Sequence, residues 1–241
     1  MLALLSAAAA GVNCTALVSP VDAAPVRSPQ QIHSVIAERL AGRSVVEIGT
    51  RNGDGLSCMA QFASKATAVE LSAAYCAKLR TRAAELQKTS GHTFSVVCQD
   101  YRTAPGLDAD VFTWWQETPH LHNPAVLLQL RRLQQLGRIK KDAVAIFVFD
   151  QGWGLDMDDW YELARLGWAS WNVTFNHVDE KALCHKKVKK KYICSRVTDG
   201  TYYVAEVPIS RVPNHCPTED EASKRWRSRC GTKHVATLSR L

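Results

Sequence analysis

The sequence predicts an α/β fold built on a parallel sheet, and three neighbouring features predict it. The first is a short apolar run, Val45-Val46-Glu47-Ile48, of the kind that lies buried on both faces of a sheet. The second is a glycine-rich turn directly after it, with Gly49, Gly53 and Gly55. Glycine at that density lets a backbone turn sharply and come close to a ligand. The third is a helix over Leu56–Ala63, followed by a second strand over Thr67–Leu71 with Glu70 at its end. Strand, glycine loop, helix, strand and terminal acid make the nucleotide-binding half of an α/β sheet. The helix amino terminus faces the ligand, and the acid suits ribose hydroxyls.

The remaining elements follow in chain order. Ser28-Pro29-Gln30-Gln31 opens a helix with a capping serine and a first-turn proline; Ile32, Val35, Ile36 and Leu40 mark its apolar face, and Gly42 ends it. Ser72 caps a second amphipathic helix to Lys88, with Tyr75, Leu79, Ala83 and Leu86 inward. Thr93–Cys98 and Asp110–Trp115 read as strands, separated by a loop at Pro105-Gly106. A helix over Asn123–Leu136 turns Leu127, Leu130 and Leu133 inward and stops at Gly137. Ala143–Phe149, AVAIFVF, is apolar throughout and reads as a central strand. A helix over Asp156–Leu166 and an exposed strand over Trp168–Val178 come next. Strands Tyr192–Val197 and Thr201–Val207 flank Asp199-Gly200, a pair that favours a type I′ hairpin.

The spacing in the glycine loop is not that of a dinucleotide fingerprint, because Arg51 and Asp54 stand where G-x-G-x-x-G needs glycine. Glu47-x-Gly49-x-x-x-Gly53 instead resembles motif I of the class I S-adenosylmethionine-dependent methyltransferases. EIGTRNGDGLS is similar to the form of small-molecule O-methyltransferases, with Gly55 where that form has serine. The resemblance runs on through AVELSAAYCAKLR and VVCQDYR, three motifs in order. It implies a Rossmann-like seven-stranded methyltransferase sheet with helices on both faces, followed by a basic C-terminal extension. It also implies adenosylmethionine as cofactor, held by Glu47, Gly49, Gly53, Glu70 and Asp100. Glu47 would face the methionine amino end, Glu70 the ribose, and Asp100 with Tyr101 the adenine. Arg51, in the loop itself, would reach the methionine carboxylate.

The acceptor side departs from the family. Thr113-Trp114-Trp115-Gln116-Glu117-Thr118-Pro119-His120 matches neither the aspartates of metal-dependent relatives nor the Asn/Asp-Pro-Pro-aromatic motif of amino-methylating enzymes. Two tryptophans where a metal ligand would stand argue against a magnesium site, so no metal is expected. Glu117, His120 and Asp150 are the candidate catalytic groups, with His122 a further base. Trp114 and Trp115 either frame a flat or cationic acceptor or pack in the core.

Composition sets the wider frame. The chain has 241 residues, 46% hydrophobic and 22% charged, enough for one α/β domain with a sizeable core. The net charge of +7 is uneven: residues 181–241 hold 14 Lys/Arg against 5 Asp/Glu. The segments 186–191 and 224–233 concentrate it, which suits either an anionic partner or plain solvation. Residues 1–25 begin apolar and Ala-rich, with no Lys or Arg and small residues at Val21-Asp22-Ala23. They read as a cleavable targeting segment for an organelle or the secretory route. The expected organisation is thus 1–25 targeting, 26–208 methyltransferase-like domain and 209–241 extension, with no transmembrane helix in the mature chain.

Cys58, Cys76 and Cys98 fall on core elements and are expected as reduced, buried thiols, while Cys14 would leave with the targeting segment. For Cys184, Cys194, Cys216 and Cys230, disulfides, zinc and free thiols remain open. Two functions compete: methyl transfer to a small-molecule acceptor, and a catalytically inactive methyltransferase-like subunit with an assembly role. Methylation of RNA is a third.

Overall fold

Alternation of apolar side chains onto both faces decides the architecture. In the computed structural model, which describes residues 11–21, 30–114, 119–150, 169–174, 187–188, 191–192 and 201–212, the apolar runs form the middle strands of one mixed sheet. The strands are β1 (Ser44–Ile48), β2 (Lys65–Val69), β3 (Ser95–Val97), β4 (Val111–Trp114), β5 (Val144–Asp150), β6 (Ala169–Thr174) and β9 (Thr201–Pro208). Their order is β3-β2-β1-β4-β5-β9-β6. The first five run parallel, and β9 pairs antiparallel with both β5 and β6. A parallel sheet needs cover on both faces. Val45 belongs to the apolar cluster on one face and Val46 to that on the other.

The helices supply that cover. Helix α2 (Gln30–Ala37), α3 (Asp54–Met59) and α4 (Ala73–Ser90) pack on one face through Ile32, Ile36, Leu56, Leu79 and Leu86. Helix α5 (Pro119–Gln135) covers the other through Leu127, Leu130 and Leu133, all buried. A 3-10 turn, Ile209–Arg211, follows β9 and buries Ile209 and Val212 in the same cluster. The packed body therefore continues past residue 208. Among the described residues no helix is long and apolar enough to cross a membrane.

The structure departs from the sequence reading in three places. The first concerns the expected Asp199-Gly200 hairpin, whose turn and residues 193–200 lie outside the described residues. Both edges of β9 are filled by β5 and β6, so no edge is left for the expected partner strand. Instead β7 (Lys187–Val188) pairs with β8 (Lys191–Tyr192) inside the lysine-rich segment. Second, Cys58, Cys76 and Cys98 are not reduced thiols. Cys14 is bonded to Cys58 and Cys76 to Cys98, across 44 and 22 residues of sequence. None of the described cysteines is free.

Third, residues 11–21, placed by the sequence reading in a separate segment, are built into the α3–α4 face. Asn13 caps the one-turn helix α1 (Cys14–Leu17), and Cys14 and Val18 are buried. The Cys14 amide donates to Ser34 Oγ at 3.0 Å and the Val21 amide to Asp54 Oδ1 at 2.9 Å. Residues 22–29, 151–168 and the expected helix Asp156–Leu166 lie outside the described residues, as do Cys184, Cys194, Cys216 and Cys230.

Candidate functional site

In a parallel sheet every strand delivers its last residue to the same edge, and that edge is where such sheets bind ligands. Register places Ile48 beside Val69 and Trp114, Val69 beside Val97, and Trp114 beside Phe147. Gly49, Glu70, Cys98 to Asp100 and the end of β5 therefore meet at the carboxyl edge. Ile48 and Asp100, 52 residues apart in sequence, reach the same edge through strand order alone, with β2 between their strands.

The loop after β1 is the tightest part of the site. Gly49, Arg51 and Gly53 all have positive φ, at 71°, 54° and 79°. Space over Gly49 is open, since a Cβ there would meet nothing within 4 Å. At Gly53 the same atom would strike Leu79 Cδ2 at 2.7 Å, so the loop lies directly on α4. Arg51 has a side chain in a conformation that disfavours one, and it is held there: its amide donates to Glu70 Oε2 at 2.9 Å. Its guanidinium donates to Tyr75 Oη at 3.0 Å and lies over the Tyr75 ring. Tyr75 is thus half-buried beside the loop, and Cys76 takes the inward place on α4.

Glu70 is 3% exposed and accepts the Arg51 amide on one oxygen and the Ser72 amide, at 2.8 Å, on the other. Each oxygen keeps a second lone pair for an incoming hydroxyl. Glu47 is buried, at 6% exposed, and its Oε2 has no hydrogen-bond partner. Burial first, and the charges of Asp54 and Glu70 next, push its carboxyl up to about 8. A buried neutral acid with an idle oxygen, two residues before an open glycine, can accept from a cationic group.

Asp100 is clasped by Arg102. Nε donates to both carboxylate oxygens at 2.9 and 2.8 Å, and the Arg102 amide donates to Oδ1 at 2.9 Å. Burial pushes the Asp100 carboxyl up, but the Arg102 hydrogen bonds outweigh it and hold it below the usual range. Tyr101 is buried in the α5-side cluster, and burial raises its phenol. Of the expected adenine pair, Asp100 keeps partial access and Tyr101 backs it from the core.

On the acceptor side, Trp114 is a core residue. It is 2% exposed, stacks on Phe147 with ring centroids 5.4 Å apart, and donates from Nε1 to Asn123 Oδ1 at 2.7 Å. It does not frame an acceptor. Trp115 and Glu117 lie outside the described residues. His120 falls in the first turn of α5 and Asp150 closes β5, both by backbone at the carboxyl edge, with their side chains outside the described residues.

Two solved structures similar to this chain can be set beside this geometry. One is a precorrin-6y C5,15-methyltransferase from Geobacter metallireducens GS-15, 11% identical, covering 82% of this chain and 97% of that one at a TM-score of 0.50. The other is a tRNA methyltransferase from Aquifex aeolicus, 12% identical, covering 77% and 71% at a TM-score of 0.50. The fold is the Rossmann-like methyltransferase fold. No family model and no curated sequence matches the chain.

Within that fold, sequence reasoning missed Asp54, Arg82 and His33. Asp54 opens α3, 3% exposed, and pairs with Arg82 Nη1 at 2.7 Å. An acid in the first turn of a helix was the available signal for it. His33 explains the departure at Gly55: a Cβ there would lie 2.6 Å from His33 Nε2, so the imidazole fills the space a serine would need.

Proposed function

We propose that the chain is an S-adenosylmethionine-dependent methyltransferase acting on a small-molecule acceptor. The observation that carries the reading is the buried, unpartnered Glu47 Oε2 on the strand that leads into the open Gly49, with Glu70 at the end of the neighbouring strand. These residues fit the cofactor. Glu47 would take the ammonium of the methionine end and release its proton as it does so. Glu70 would take the ribose hydroxyls on its spare lone pairs, while Arg51, Asp100 and Tyr101 would border the carboxylate and the adenine. The bound cofactor supplies an activated methyl group; the chain supplies position and dryness. The acceptor would lie over the ends of β4 and β5, with Glu117, His120 or Asp150 to orient it or take its proton. The basic segments 186–191 and 224–233 would be accessory, meeting an anionic partner, and the cysteine bonds favour an oxidising compartment.

Isothermal titration of the oxidised chain with adenosylmethionine tests this. One site per chain is expected, with Glu70→Gln weakening it roughly tenfold, about 1.4 kcal/mol. No heat at high protein concentration would leave a methyltransferase architecture without the cofactor.

A further inference from the structure

The glycine loop holds three positive φ angles in five residues, one of them at Arg51, and such a backbone persists only when its surroundings fix it. Part of the fixing comes from the sheet, through Glu70 to the Arg51 amide and through Val69 O, which accepts from the Gly49 amide at 2.8 Å. The other part comes from α4 by way of one side chain. Arg82 donates to the Asn52 carbonyl at 3.2 Å, to Ser57 Oγ at 2.8 Å and to the Ser19 carbonyl at 3.1 Å, and it pairs with Asp54 at 2.7 Å. The two charged side chains are only 13% and 1% exposed. One guanidinium thus joins the loop, the start of α3 and the segment 11–21. A rigid fork with five donors reaches these acceptors together; a single ammonium does not.

We propose that Arg82 is a positioning residue for the glycine loop, and that segment 11–21 is the other half of its clamp. The segment closes the arrangement from outside: the Val21 amide donates to the same Asp54 oxygen that Arg82 pairs with, and Cys14 is bonded to Cys58 on α3. Leu79, one turn before Arg82, supports Gly53 from below. Arg82 acts through the Asn52 carbonyl, so its influence on a bound ligand is indirect. A strained loop with its backbone pre-set binds without first being ordered. The affinity arm of the test rests on the methyltransferase reading; the exchange arm does not.

The test uses the full oxidised chain and its Arg82→Met and Arg82→Lys variants. Hydrogen exchange should speed at least tenfold at the Arg51 and Gly53 amides in Arg82→Met, with β5 amides unchanged. Adenosylmethionine Kd should rise tenfold or more in Arg82→Met, and Arg82→Lys should fall between. A lowered Tm with loop exchange and Kd both unchanged would overturn the proposal and make Arg82 merely structural. If the wild type binds no adenosylmethionine, the function reading fails and loop exchange alone decides this one. If Arg82→Met does not fold, Arg82→Lys must still accelerate loop exchange, and normal exchange there would sink it.

Discussion

Glu47 and His33 are both buried, and their titrations oppose each other. Burial holds the His33 imidazole down to about 4 from 6.5, with Asp54 pulling it up and Arg82 down. The Glu47 carboxyl rises to about 8 from 4.5. From pH 4.5 to 6.5 the folded chain keeps the Glu47 proton that the unfolded chain releases, so stability falls with pH. Over the same range the unfolded chain binds a His33 proton that the folded chain refuses, so stability rises. The two slopes cancel. From 6.5 to 8 Glu47 acts alone, and the apo protein should lose stability at up to roughly 1.4 kcal/mol per pH unit. Denaturation at stepped pH checks this, and Glu47→Gln should flatten the slope above 6.5. The two loop glycines should also differ. Gly49→Ala meets only the left-handed backbone cost of about 1–2 kcal/mol, whereas Gly53→Ala adds the collision with Leu79. Chemical unfolding should rank Gly53→Ala the worse by about 1–3 kcal/mol. Glu47, Gly49 and Glu70 were legible because each sits a fixed step from a strand end. The Asp54–Arg82 pair was not, since its members lie on different helices and no local pattern joins them.

At the scale of elements, β1, β4 and β5 were read close to where they lie because an inner parallel strand is largely apolar, whereas β3, at the sheet edge, is shorter than the expected Thr93–Cys98. Helix α5 begins at Pro119, ahead of the expected Asn123, since its first turn has no apolar periodicity to announce it. Asn123 instead does a structural task within the helix. It is 0% exposed, accepts from Trp114 Nε1 and donates to the Val148 carbonyl at 2.9 Å, so it joins β4, α5 and β5. Asn123→Ala strands a buried indole N–H and should cost about 2–3 kcal/mol by denaturant titration. The pairing of β9 has a different cause. Asp199-Gly200 is a sound local turn signal, but strand pairing is set by which edges stand open in the finished sheet.

For the whole molecule, the class of fold was readable from one continuous stretch, and what escaped were contacts made over distance. The cysteine pairs span 44 and 22 residues, and no local pattern joins their members. In the chain-entropy account the longer loop confers more: Cys14→Ser should cost about 4 kcal/mol and Cys98→Ser about 3 kcal/mol. Thermal unfolding under non-reducing conditions compares them, and a dithiol reductant should lower the wild-type Tm toward the variants. The placement of β9 between β5 and β6 bears on how the protein is made. When the ribosome has released β5, the strand meant for its free edge is still unsynthesised, and residues 151–200 must emerge first. Until then Val144 to Phe149 offers neighbouring nascent chains an apolar template, the situation in which strands join the wrong partner. Yield of native protein should therefore depend on shielding that edge during translation, by a chaperone or by slow, dilute expression.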